Sequence, residues 1–210
     1  MDFKDGLLCF TKLSILFLKD LWGSVNTPYK TYRSLSLRKE LGEAFFIFLG
    51  IFFYFVWATL LRTKSLNPLF LTFNFTKLLA AAIFTCLLII LVIYFLGQVV
   101  GGKGTLKSVF ITWAFSLIPT LVWFFTTSLF YIILPPPRTT RFLGVLFSLF
   151  YIAFSVSLFF WKGLLYVLTL RFSLKLDLPR IIFISAILFP LGILYSVLMY
   201  RLGIFRVPFI

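Results

Sequence analysis

The chain of 210 residues has no histidine and very few acids: Asp2, Asp5, Asp20, Glu40, Glu43 and Asp177 are all of them. Without histidine, His-ligated zinc, His-ligated haem and Ser-His or Cys-His nucleophile pairs are excluded within the chain. No acid falls between residues 44 and 176. That excludes paired-carboxylate hydrolysis and a carboxylate proton relay from this stretch. The two cysteines, Cys9 and Cys86, stand far apart without CxxC spacing and read as packing residues. No cofactor and no metal site is expected.

What remains is mostly apolar. Hydrophobic residues make up 61% and charged residues 12%, and thirty residues are Phe. An ordinary soluble domain sits near ~45–50% and ~25%. A soluble fold of this size cannot hide that much apolar surface, so the composition implies an integral membrane protein. The net charge is 20 − 6 = +14. The basic residues fall in ones and twos at the ends of apolar runs, not on one face of a folded unit. That pattern anchors and orients membrane spans, and no nucleic-acid partner is expected.

Five apolar runs cover residues 44–61, 78–96, 109–134, 142–161 and 181–200, the fourth able to continue past Lys162 to Leu170. Each meets the ~20 residues needed to cross ~30 Å of hydrocarbon. The first holds 12 Leu, Ile, Val or Phe residues, favouring insertion by at most ~4–7 kcal/mol at ~0.3–0.6 kcal/mol each. No β-barrel alternation is present. The expected fold is all-α: a polytopic helical bundle with five transmembrane helices. Residues 3–22 place polar side chains at 4/5, 11/12 and 19/20 among leucines and phenylalanines. This is an amphipathic helix suited to lying in the membrane interface. Lys12 and Lys19 interrupt it too often for a secretory signal. Residues 23–43 read as a polar linker. The expected division is therefore residues 1–43, a cytoplasmic amphipathic helix and basic linker, and residues 44–210, the five-helix transmembrane domain.

Lys and Arg counts set the orientation. With five spans, the N-terminal side holds twelve: Lys4, Lys12, Lys19, Lys30, Arg33, Arg38, Lys39, Lys103, Lys107, Arg171, Lys175 and Arg180. The other side holds seven: Arg62, Lys64, Lys77, Arg138, Arg141, Arg201 and Arg206. The positive-inside rule predicts a multi-pass protein of the cell membrane, N-terminus cytoplasmic and C-terminus outside.

Several local patterns invite a chemical reading. Residues 97–105, GQVVGGKGT, nearly match the phosphate-binding loop GxxxxGK[ST], but Gly104 replaces the hydroxyl that would hold Mg²⁺. The simpler reading is a helix end at Gly97 and a tight glycine turn, with Lys103 and Lys107 near lipid phosphates. Lys162 follows Trp161 near the end of its run and reads as a snorkelling lysine beside an interfacial anchor. Lys30, Arg33, Arg38 and Lys39 form a basic cluster before the first span, each able to gain ~1 kcal/mol near an anionic leaflet. Pro119 and Pro190 fall inside runs and predict kinks, with Ser116 or Thr120 satisfying freed carbonyls. A Ser-Lys nucleophile would have to use Ser157 and Lys162, whose spacing of five suits one helix face poorly.

Taken together, the Pro-Tyr-Lys-Thr-Tyr stretch from Pro28, the Gly-Gly turn at Gly101 and Gly102 leading to Lys107, and Trp-Ala-Phe-Ser-Leu-Ile-Pro from Trp113 through Ser116 to Pro119 resemble prokaryotic members of the YIP family, the Ypt/Rab-interacting membrane proteins. The resemblance covers about residues 25–200. It implies five helices and a cytoplasmic N-terminus. In eukaryotic members it implies association with small GTPases. This chain lacks the Asp-Leu-Tyr-Gly-Pro motif of that branch, and for the prokaryotic branch the resemblance implies a membrane location without a settled activity.

The expected function is a non-enzymatic interaction or membrane-organising module. Its partners would be membrane lipids and a protein in the membrane or at its cytoplasmic face. Lys30, Arg33, Arg38, Lys39, Lys103 and Lys107 are the candidate contacts. The alternative is a transport or lipid-handling protein, or a transporter's membrane subunit, using a pocket near Pro119 and Pro190 lined by Ser116, Thr120 and Ser185.

Overall fold

A computed structural model describes residues 3–38, 41–62, 68–133 and 142–204. Lys39 and Leu134, which belong to the expected contact cluster and third span, lie outside the described residues. Among the described residues there are eight helices and no strand: α1 (Phe3–Asn26), α2 (Pro28–Arg38), α3 (Gly42–Arg62), α4 (Pro68–Val99), α5 (Leu106–Ser116), α6 (Ile118–Ile133), α7 (Phe142–Ser173) and α8 (Leu178–Arg201). Five stretches are long and apolar enough to cross a membrane: Gly42–Leu61, Phe75–Val99, Leu106–Ile133, Gly144–Ser173 and Leu178–Arg201. The protein is an all-α, multi-pass membrane bundle. The second and fourth spans run longer than the hydropathy runs of residues 78–96 and 142–161.

The third span is the centre. It is 56% buried against 28% or less for the other four. Outside it, α3, α4, α7 and α8 turn Phe53, Phe95, Phe159, Phe160 and Phe183 outward, each more than half exposed. In water such a surface would aggregate; in lipid it is solvated. The central span is broken into α5 and α6 at Leu117. Pro119 has no N–H to give the Phe115 carbonyl, and the chain tightens there: Leu117 N–H bonds Ala114 O at 3.0 Å, and Ser116 Oγ donates to Trp113 O at 2.7 Å. The kink expected at Pro119 is thus a helix break, and Ser116 satisfies a carbonyl. Thr120 Oγ1 has no hydrogen-bond partner among the described residues. At Pro190 the outcome differs. α8 runs through it without interruption, and Pro190 is exposed on the bundle surface.

The described residues of the expected linker, 23–38 and 41–43, are mostly helix. α1 continues to Asn26, α2 fills Pro28–Arg38, and α3 starts at Gly42. The reason is a face that mean hydropathy hides: Thr31, Tyr32, Leu35 and Ser36 recur at helical spacing and are buried. They wedge α2 between α5 and α7. Ser108 Oγ of α5 donates to Ser36 O at 3.3 Å, and Tyr29 packs edge-on to Phe172 of α7 at 4.8 Å between centroids. Tyr32 is fully buried, and burial pushes its phenol well above the ordinary 10.0, so it stays neutral across the physiological range.

The bundle is therefore polarised. One end gathers α1, α2, the start of α3, the α4–α5 turn, α5 and the last turns of α7. Most buried polar side chains lie there: Asp20, Ser24, Thr31, Ser36, Glu43, Ser108, Thr112, Ser116, Thr169 and Ser173. They cross-link elements, as where Thr169 Oγ1 donates to Thr112 O at 3.2 Å.

Candidate functional site

The packed end carries the chemistry this chain has. α1 packs on α2 and α3 and touches α5 and α7. Its Phe10 and Phe17 rings meet Phe46 of α3, Phe17 also meets Phe115 of α5 at 6.0 Å, and Ser24 O accepts the Trp161 indole N–H of α7 at 3.3 Å. Leu13, Phe17, Asp20 and Ser24 face the protein at helical spacing. The opposite arc presents Ile15, Leu18, Trp22 and Val25, each more than half exposed. Lys12 and Lys19, both exposed, lie at one edge of that arc. The helix has a protein face, an apolar outward face and a cationic border.

Arg38 does not belong to a surface cluster. It ends α2 and points inward, pairing with Asp20 of α1 and, through Nη1, with Glu43 Oε1 of α3 at 3.2 Å. The side chains of Asp20 and Glu43 are only 8% and 1% exposed. One guanidinium thus ties three helices together, a role for which a planar, permanently charged fork is suited. Sequence reading misses this triad. Its only signal is that Asp20 shares the helical face of Leu13, Phe17 and Ser24. Lys30 and Arg33 remain exposed, as do Lys103, Lys107, Lys175 and Arg180. Arg171 is exposed as well and lies 5.8 Å over the Tyr29 ring. Pro28 opens α2 at its first position, where its missing N–H costs nothing.

The glycine turn is a helix cap. Gly101 takes φ +84. Gly102 N–H bonds Gly97 O at 2.7 Å and Gly101 N–H bonds Gln98 O at 3.0 Å, the paired bonds of a Schellman end on α4. Lys103 N–H goes to Leu174 O, just past the end of α7, at 3.0 Å. The N–H groups of Val100 through Lys103, donors that a phosphate-binding loop would offer, are therefore spent on carbonyls. Thr105 caps α5 by accepting from Ser108 N–H at 3.4 Å.

The expected pocket at Ser116, Thr120 and Ser185 is not assembled. Ser116 and Pro119 are buried in the centre, Pro190 faces outward, and the Ser185 hydroxyl is engaged by Tyr166 at 3.0 Å. Ser157 is exposed and donates to Ala153 O at 2.9 Å, so it turns along its own helix rather than toward Lys162. Lys162 is half-buried one residue beyond Trp161, level with the α1–α2 junction. A cavity of about 500 Å³ does open between α3 and α5, lined by Leu41, Phe45, Phe48, Leu106, Lys107 and Phe110. Comparisons with family models, curated proteins and solved structures find no match to this chain.

Proposed function

We propose that this five-span membrane protein is a non-enzymatic interaction or membrane-organising module whose packed end works at the cytoplasmic membrane surface. The observation that carries the reading is the course of α1. It packs on α3, touches α5 and α7, turns an apolar arc outward and borders it with Lys12 and Lys19. A helix of this kind suits the boundary between acyl chains and headgroups. On this placement, residues 142–161 span ~30 Å as helix, matching the hydrocarbon, and the remaining turns of α7 stand beside α2 above it. Trp161 then sits at the interface, where indoles collect. The twelve-to-seven distribution of Lys and Arg supports a cytoplasmic N-terminus and an outer C-terminus. The YIP resemblance of the stretches at Pro28, Gly101 and Trp113 is consistent with this reading, and a protein partner would meet the exposed Lys30, Arg33, Lys103 and Lys175. Both buried carboxylates are committed to Arg38, which supports a structural and not a catalytic role for them.

The test is lipid selectivity in reconstituted vesicles, read by electron paramagnetic resonance of spin-labelled phosphatidylglycerol and phosphatidylcholine. The wild type is expected to enrich the anionic label, less so at high salt. Charge reversal of Lys12, Lys19, Lys30 and Arg33 together is expected to lower the preference severalfold, each cation contributing ~1 kcal/mol. A preference unchanged by the four reversals sinks the reading.

A further inference from the structure

We infer that the groove between α3 and α5 holds one anionic phospholipid, its acyl chain against Phe45, Phe48 and Phe110 and its phosphate on Lys107. The inference rests on the placement of the packed end at a membrane surface, but adds a stoichiometric site to a diffuse attraction. Three features support it. The groove opens at the N-terminal ends of two spanning segments, Gly42–Leu61 and Leu106–Ile133, so it lies where acyl chains meet headgroups. Its volume of about 500 Å³ falls within the ~300–1,000 Å³ of ordinary ligand sites. Its lining is apolar, and Lys107, exposed at the rim, is the cation among the described lining residues.

The depths agree. Lys107 precedes Phe110 by three residues, ~4.5 Å along the axis, and the headgroup layer is ~5–7 Å deep. A phosphate on Lys107 therefore leaves the chain at the level of the rings. The floor is a ring contact: Phe48 and Phe110 pack at 5.4 Å between centroids. The start of α5 adds to the cation, because the first N–H groups of a helix point their positive ends the same way. In a bilayer any chain meets apolar surface, so apolar contact alone gives no preference. Lys107 is what selects an anionic headgroup.

The experiment is native mass spectrometry of the full chain in a non-ionic detergent, incubated with equal amounts of phosphatidylglycerol and phosphatidylcholine. Reversing Lys12, Lys19, Lys30 and Arg33 is expected to leave the one-lipid preference in place here, so the two readings can fail separately. The wild type is expected to retain one phospholipid per chain, with phosphatidylglycerol favoured. Lys107→Gln is expected to lower that preference about fivefold. Leu106→Trp, which fills the groove from a residue 42% exposed, is expected to remove both lipids. Should Leu106→Trp fail to fold, Lys107→Gln decides alone. A wild type that retains no phospholipid overturns the proposal. So does equal retention of both headgroups, a preference unchanged in Lys107→Gln, or a dimer that excludes lipid from the groove.

Discussion

Replacing Arg38 by glutamine is expected to destabilise the protein by about 3–5 kcal/mol, the usual effect of removing one partner from a buried ion pair. The asymmetry of the site explains the size. Arg38 is the partly exposed member, at 27% of its side chain, whereas Asp20 and Glu43 are 8% and 1% exposed. Glutamine removes the positive charge and leaves two carboxylates where water cannot solvate them. Unfolding in mild detergent, followed by tryptophan fluorescence, measures the loss. The triple variant Arg38→Gln, Asp20→Asn, Glu43→Gln is the control. With all three charges gone, most of the lost stability is expected to return, because a neutral buried set costs far less than an uncompensated one. A single variant within 1 kcal/mol of wild type, or a triple variant that recovers nothing, would show that the triad does not fasten α1 and α2 to α3. The same loss should expose the α1–α2 junction to proteolysis, since Asp20 is the one ionic hold on α1 among the described residues.

The spans are legible in the sequence because lipid imposes length: a stretch without charge must be about 20 residues long to cross, and this shows in any window. Pro119 gives warning of the break because a missing N–H is written in the residue name. The packed end is not legible in the same way. α2 buries a face of Thr31, Tyr32, Leu35 and Ser36, two of them aliphatic-hydroxyl residues, so its hydropathy looks like that of a loop. What buries it lies far along the chain: Ser36 meets Ser108, and Tyr29 meets Phe172. In the sequence Arg38 is one more surface cation, because a charge count has no direction. Only the fold shows that it turns away from Lys30 and Arg33. The glycine turn is legible as a turn. The groove beside it is not, since it exists only where α3 and α5 stand side by side.

Substituting alanine for Gly104 is expected to cost at least about 1–3 kcal/mol, the range for overpacking a filled interior, and to loosen the α4–α5 turn from α7. The turn sits so close to the last residues of α7 that a Cβ at Gly104 would overlap the Ser173 carbonyl oxygen and lie 2.7 Å from Leu174 Cα. Those are backbone atoms. No rotamer can relieve the clash, so the two segments must part, and the Lys103 N–H to Leu174 O bond of 3.0 Å goes with them. Gly97 differs: its Cβ would meet only the Leu174 side chain, from 2.5 Å, and a side chain can turn aside. Alanine at Gly97 should therefore be the milder change. Gly101 needs its φ of +84, and alanine there should cost ~1–2 kcal/mol through backbone strain alone. Gly163 supplies the baseline. It lies within α7, and a Cβ added there would have nothing within 4 Å, so alanine should leave stability level or raise it by up to ~1 kcal/mol. Unfolding of the four variants side by side separates close approach from strain and from propensity. The ranking expected is Gly104 as the most damaging, Gly97 and Gly101 between, and Gly163 harmless. If Gly104→Ala proves as stable as Gly163→Ala, then the turn does not rest on α7, and the packed end is held by α2 and the Arg38 triad without it.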